Sequence, residues 1–364
     1  MKYKNIYVAA SSQHVGKTTS TLGLVSGFMK KGLKVGYCKP VGQKFLDVNN
    51  LIVDKDTVLF ADLIHFDLIP EYHSPVILGK GATEKYLDNP DQYDLNGIIS
   101  EAQRYMSNNN DITVYEGTGH PGVGSVAGLS NAAVAKLLNA GVVMVVEGGI
   151  GSTIDMLNMC TAIFRENDVP IVGIIINKVR EEKIRKVREY VKKWLDRNNL
   201  PLLGVIPYDQ TLAYPLIRSI AKSVSGTIIY NSDADNNKVA RILSGSLIDL
   251  EKLENLSDQL LVVATKALNG AIKKIDSIEK LNKIEATSLS GIVATGQGNI
   301  DSNTLKYIEE NNLPLIRTHL DTYGCVVKIS KMEVKINRKT PWKVNKAIQL
   351  IEDHVDFDSI MEKV

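Results

Sequence analysis

Short apolar runs along this chain alternate with longer stretches in which apolar residues recur every three or four positions, the pattern of buried strands between amphipathic helices. Residues 5–10 (NIYVAA) are short, apolar and followed at once by serine, glycine and a helical pattern, so they read as a buried first strand. A helix follows from about Thr18 to Lys31, with Leu22, Leu24, Val25 and Phe28 along one face and a basic last turn closed by Gly32. Further strand-like runs at 35–38 (VGYC), 112–116 (ITVYE), 142–147 (VVMVVE) and 172–177 (VGIIIN) have helical patterns between them, which predicts an α/β fold with a mostly parallel sheet. Residues 231–237 (NSDADNN) lack an apolar anchor and read as a linker. Beyond them, 260–265, 291–296 and 314–318 read as strands, and 302–311 and 343–354 as helices of a second, smaller α/β domain. The expected division is a first domain over 1–230, a linker over 231–237, and a second domain over 238–364 with a C-terminal helix.

Composition agrees with two domains, since 364 residues at 44% hydrophobic content suffice for two cores. A net charge of +2 with 23% charged residues points to no polyanion, so nucleic acid is not an expected partner. The stretch from Lys178 to Arg197, rich in Lys, Arg and Glu, reads as a solvated amphipathic helix with Ile184, Val187, Tyr190, Val191 and Leu195 near helical spacing. Cys38, Cys160 and Cys325 form no metal-ligand spacing and suit a reducing compartment. No apolar run approaches the roughly 18 residues of a membrane span. The N-terminal lysines lead through a short strand into a loop rather than a cleavage site, so a cytoplasmic protein with no membrane partner is expected.

Candidate chemistry begins in the loop after the first strand. SSQHVGKTT matches the last half of a P-loop, with Gly16 for the tight turn, Lys17 for phosphate oxygens and the Thr18 hydroxyl for Mg²⁺. The helix dipole adds attraction for phosphate. Ser11 stands where the pattern expects its first glycine, and strand–loop–helix context decides in favour of a nucleotide site. The nucleotide-contacting set is Ser12, Gln13, His14, Val15, Gly16, Lys17, Thr18 and Thr19.

Other polar residues follow the strands directly, on the rim where parallel sheets bind ligands. Lys39, after the second strand, would face the phosphates or be simply solvated. Asp54 and Asp56 supply carboxylates for Mg²⁺ or a helix N-terminal charge. Glu116 ends a strand before the glycine-rich GTGHPGVGSV, where a P-loop protein holds its metal. His120 could transfer a proton or stand idle in solvent, and Asn177 could pair with a nucleobase edge or serve as a turn residue.

The ordered motifs SSQHVGKTT, CKPVG, YEGTGH, VEGGIGSTID, IINKV and GVIPYD, over about residues 4–230, resemble the dethiobiotin synthetase-like group of P-loop proteins. Within that group the chain looks most like the N-terminal region of large phosphotransacetylases. NKVARILSGS (236–246), LVVATKALNGAI, GIVATGQGN and LPLIRTHLDTYGCVVKISKM resemble the DRTGG domain that follows there, without its name-giving residues. The resemblance implies ATP and Mg²⁺ as cofactors, with Lys17, Thr18 and Glu116 at the phosphates and the metal; Asp56 joins the metal set only from its own reading above. It gives Lys39 a phosphate or substrate role beside Lys17, the two being the catalytic candidates, and Asn177 with Pro207 the adenine. It also implies a homodimer.

Two departures bear on substrate. Ser11 and Ser12 replace the Thr-Asp usual in true dethiobiotin synthetases, and Gly149 lies where those enzymes tend to have a substrate lysine. No segment resembles a phosphate acetyltransferase catalytic domain or a glutaminase cysteine motif. The expected function is therefore a regulatory or sensory ATP-binding module with an unidentified small-molecule second ligand. The alternative is an ATP-dependent carboxylate–amine ligase of the dethiobiotin synthetase type.

Overall fold

The apolar runs of the first part of the chain pair into one six-stranded sheet, as seen in a computed structural model that describes residues 3–43, 45–48, 51–244, 257–281 and 286–364. Among the described residues, ten strands belong to this part: β1 Asn5–Ala10, β2 Val35–Cys38, β3 Val41–Gly42, β4 Phe45–Val48, β5 Leu51–Asp54, β6 Val76–Ile77, β7 Ile112–Glu116, β8 Gly141–Glu147, β9 Ile171–Val179 and β10 Leu202–Pro207. Its helices are α1 Lys17–Lys30, α2 Lys55–Ile64, α3 Pro70–His73, α4 Ala82–Asp88, α5 Leu95–Asn109, α6 Asn131–Leu137, α7 Gly151–Glu166 and α8 Ile184–Arg197. The large sheet runs β10-β9-β8-β1-β7-β2, and every neighbouring pair in it is parallel. β1 lies inside it with all six residues buried, which is why its sequence is continuously apolar rather than alternating. The chain leaves β1 toward β2 on one side and later passes to β8, β9 and β10 on the other, so the loop after β1 opens at a reversal of strand order.

The second sheet is built from β11 Thr227–Tyr230, β12 Arg241–Ser244, β13 Gln259–Ala264, β14 Leu289–Thr295 and β15 Leu315–Thr318, in the order β11-β15-β14-β13-β12. All its pairs are parallel except β11 with β15. Helices α9 Ile217–Ser223, α10 Thr265–Leu281, α11 Ser302–Glu310 and α12 Thr322–Ser330 cover it, α10 and α11 on one face and α9 and α12 on the other. Residues 245 and 246 of the run 236–246 lie outside the described residues.

The division between the units differs from the expected one. One compact unit comprises 1–209 and 336–364, the other 210–335, so α9 and β11 belong to the second unit. Two helices, α13 Pro341–His354 and α14 Phe357–Met361, return to the first. The physical reason is visible on α1. A Cβ on Gly23 would lie 2.1 Å from the Cβ of Ile351, and one on Gly27 would lie 2.0 Å from the ring of Phe357. The two glycines thus give α13 and α14 a seat against the helix backbone. Ser26 Oγ donates to Glu352 at 3.0 Å, and Lys30 pairs with the same carboxylate at 2.6 Å. Further on, the Asp356 N–H donates to the Leu203 carbonyl of β10 at 2.8 Å.

For the same reason α1 is not one-sided. Leu22, Leu24, Val25 and Phe28 are fully buried as expected, and Thr19, Ser20, Thr21, Gly23 and Gly27 are buried as well. In the 178–197 stretch, Lys178 and Val179 complete β9, and a 3₁₀ turn over Glu181–Lys183 precedes α8. Val187, Val191 and Leu195 of α8 are buried, but Tyr190 is exposed, with Lys193 Nζ 4.8 Å over its ring. Among the described residues the three cysteines are free and buried, and no helix is long and apolar enough to cross a membrane.

Candidate functional site

The loop between β1 and α1 turns on backbone conformation. His14 has φ 63° and Gly16 φ 104°, and Gly16 serves as the N-cap of α1. No side chain caps the helix and no acidic residue occupies its first turn, so its amides face outward as an anion-binding end. Ser12, Gln13 and His14 are exposed, and Gly16, Lys17 and Thr18 are half-buried. Val15 and Thr19 are buried, so they shape the loop with their backbone while their side chains enter the core.

Asn177 supports this turn from β9. Its amide nitrogen donates to the Val15 carbonyl at 2.7 Å, and its oxygen accepts from the Lys178 N–H at 2.9 Å. A Cβ on residue 16 would lie 2.0 Å from that amide nitrogen, so glycine is required for two reasons, its φ and its neighbour. Lys178 Nζ adds a bond of 2.5 Å to the His14 carbonyl. The structure therefore puts Asn177 to work on the loop backbone, where the sequence offered a nucleobase contact or a turn. Pro207 ends β10 in register with Val179, on the same rim.

The end of β7 brings the remaining groups together. β1 and β7 pair with Val8 opposite Glu116, which sets the Glu116 carboxyl beneath the loop. Glu116 Oε1 accepts from the Thr18 hydroxyl at 2.9 Å, and its Oε2 lies 3.5 Å from the Tyr37 hydroxyl. Lys39 is buried and ion-paired with Asp56, with Asp54 Oδ1 at 3.3 Å and Glu116 Oε1 at 3.9 Å. This corrects the picture of a lysine on an open phosphate rim, because its ammonium is enclosed by carboxylates. Of the two parts the sequence left open, Asp54 takes that of the helix N-terminal charge: its Oδ1 accepts from the Asp56 N–H at 2.9 Å and caps α2, and the same oxygen lies 3.3 Å from Lys39 Nζ.

Electrostatics follow from the burial. Glu116 is raised from the ordinary carboxylate value to about 7, first because burial disfavours its charge. Nearby Asp56 pushes the same way, while Lys39, Lys17 and the Thr18 hydrogen bond oppose the shift. Asp54 is likewise raised by burial against the pull of Lys39. Burial works against the Lys39 charge too, but Asp56, Glu116 and Asp54 outweigh it and hold the ammonium protonated.

Residues that the sequence did not single out complete the site. The Asn131 side chain, at the start of α6, holds the turn after Glu116 through bonds to the Thr118 N–H and carbonyl. Lys17 Nζ lies 3.4 Å from the Gly119 carbonyl in that turn. His120 is exposed, and its Nδ1 accepts from the Gly122 N–H at 3.2 Å, which gives it a local turn-closing role. Tyr37 stacks on Phe60 at 3.8 Å between ring centres and so fixes its hydroxyl near Glu116. Apolar-looking Tyr37 carried no signal that its oxygen would matter.

The donors fit a hard cation. The Thr18 hydroxyl and the Glu116 carboxylate meet beside the uncapped helix end, and both are oxygen ligands of the kind Mg²⁺ takes. Among the described residues no three His, Cys, Asp or Glu side chains form a group that could hold a metal ion by themselves.

Against known proteins, a family profile described as "AAA domain" matches residues 4–215. The chain is 20% identical to a phosphate acetyltransferase of Synechocystis over 98% of its own length and 51% of that protein. It is 24% identical to a phosphate acetyltransferase of Pseudomonas putida over 97% of its length and 50% of the relative. It is 28% identical to a probable cobyric acid synthase of Methanosphaera stadtmanae over 59% of its length and 46% of the relative. The chain thus spans about half the length of the curated relatives it matches.

Proposed function

The chain belongs to the AAA-domain family matched over 4–215, the dethiobiotin synthetase-like P-loop group, and on that premise we propose that it binds ATP with Mg²⁺ as a regulatory or sensory module. The observation that carries this reading is the pairing of Thr18 with Glu116 at 2.9 Å beneath an uncapped helix N-terminus. The α1 amides and Lys17 would hold the phosphates, and Thr18 and Glu116 would hold Mg²⁺. Bound Mg²⁺ would neutralise phosphate charge. The protein's part is to orient Thr18 through the Glu116 carboxylate, to hold the loop through Asn177, and to keep the Lys39 charge fixed within its ring of acids.

A regulatory role is supported by the likeness to phosphate acetyltransferases over nearly the whole chain and about half of theirs. It is also supported by a second α/β unit, DRTGG-like in sequence, that would take a second small ligand. A homodimer, read from the resemblance, belongs to the same proposal and is checked by light scattering.

A specific observation keeps the ligase reading alive. Lys39, Asp54, Asp56 and Glu116 form a buried ionic group beside the phosphate loop, more than phosphate binding alone requires. The deciding experiment incubates the protein with Mg·ATP, bicarbonate and 7,8-diaminopelargonate and measures ADP and cyclised product. Tight ATP binding without product supports the module, and product formation that depends on Lys17 establishes the ligase. Unchanged ATP affinity in Lys17→Ala would remove the site assignment itself.

A further inference from the structure

The turn after β7 is fixed by one side chain. Asn131 is buried, and all four of its amide bonds are made. Its oxygen accepts from the Tyr7 hydroxyl at 2.7 Å and from the Thr118 N–H at 3.0 Å. Its nitrogen donates to the Thr118 carbonyl at 2.9 Å and to the His120 carbonyl at 2.7 Å. A Cβ on Gly117 would lie 2.2 Å from the Asn131 oxygen and 2.8 Å from the Tyr7 ring, so the amide lies directly against the backbone of the turn. The Asn131 N–H also donates to the Pro121 carbonyl at 2.9 Å, and the Thr118 hydroxyl bonds to the Val41 carbonyl. The start of α6 and the turn 117–121 are therefore tied together by these bonds.

That piece touches the end of the phosphate site. Lys17 Nζ lies 3.4 Å from the Gly119 carbonyl, and a P-loop lysine reaches the β- and γ-phosphates. On the nucleotide reading above, the turn would stand at the β- and γ-phosphate end of the site. We infer that Asn131 is a positioning residue that makes the site discriminate nucleoside triphosphate from diphosphate, by fixing the turn 117–120 where the terminal phosphate meets Lys17. This deepens the nucleotide reading above and rests on it.

The test compares affinities for Mg·ADP and for a Mg-bound nonhydrolysable ATP analogue by titration calorimetry. Asn131→Asp keeps the acceptor for Tyr7 and Thr118 and loses both donors to the Thr118 and His120 carbonyls. The triphosphate analogue should weaken about 10-fold while ADP stays within about 2-fold, the scale expected for losing well-made buried hydrogen bonds. Tyr7→Phe removes one bond and should shift the same ratio by about 3-fold, so it carries the test if Asn131→Asp does not fold. Equal weakening of both nucleotides, or an unchanged ratio, overturns the proposal. Amide hydrogen exchange over 118–122 without nucleotide is the second readout: faster exchange in the variants is expected, and unchanged exchange overturns the positioning role. A wild-type protein that binds neither nucleotide overturns the nucleotide reading and the selectivity with it, which the exchange data then show separately from a clamp that is absent.

Discussion

Replacing Glu116 with Gln separates the electrostatic strain of the site from its shape. The amide keeps an oxygen for the Thr18 hydroxyl, now at 2.9 Å from Oε1, and removes a charge held 3.9 Å from Lys39. The Glu116 carboxyl is raised from 4.5 to about 7, chiefly by burial. The folded protein therefore keeps this proton over a range in which the unfolded chain has lost it. Its contribution to stability is fully present below about 4.5 and is lost as pH rises through about 7. At about 1.4 kcal/mol per pH unit, that interval is on the order of 3 kcal/mol. Urea unfolding at pH 4.5 and pH 8 gives the measurement. Glu116→Gln should match the wild type at the acidic end and exceed it by about 3 kcal/mol at the alkaline end. Mg-dependent nucleotide binding should move the other way, weakening because a charged oxygen ligand is gone. If wild type and variant lose stability in parallel between these pH values, Glu116 is not desolvated as described and the reasoning fails.

Gly16→Ala forces φ 104° on a side chain and puts its Cβ 2.0 Å from the Asn177 amide nitrogen. With about 1–3 kcal/mol of backbone strain and a displaced Asn177, nucleotide affinity should fall at least 10-fold by fluorescent-nucleotide titration. Lys39→Met leaves Asp54, Asp56 and Glu116 without their enclosed cation, so about 3–5 kcal/mol of stability should be lost at pH 8 and less at pH 5, where Glu116, raised to about 7, holds its proton. Gly27→Leu must displace the Phe357 ring and should lower the urea midpoint, by about 1–3 kcal/mol in stability, with nucleotide contacts untouched.

The large sheet was legible in its interior strands and at β2, while β10 at its edge escaped although four of its six residues are buried. β2 and β7 fall on the expected 35–38 and 112–116, and β8, β9, β13, β14 and β15 differ from expectation only at their ends. The hairpin of β4 and β5 and the edge strands β11 and β12 escaped, because short, partly exposed strands leave no continuous apolar run. Helix 343–354 was recognised and assigned to the wrong unit. Periodicity reports that a helix has an apolar face, and Gly23 and Gly27, which choose its partner, looked like ordinary helix glycines. At the site, the proximity of Thr18 and Glu116 could be anticipated because Thr18 follows and Glu116 ends a buried strand of one parallel sheet, and the structure brings them to 2.9 Å. That of Asn131 and Tyr7 could not, since LSNAAVAKLL and NIYVAA read as a helix and a strand, and only the fold brings residues 124 positions apart together.

The seat of α13 on α1 also sets an order of events during synthesis. Ser26 and Glu352, bonded across that seam, are 326 residues apart. At about 5–20 residues per second, the ribosome makes the phosphate-loop helix roughly 15–65 s before the segment that covers its outer face. In that interval the second unit, whose strands and helices lie between them in the chain, can fold on its own local contacts. The nascent P-loop helix meanwhile shows Gly23, Gly27 and Phe28 to solvent and to chaperones.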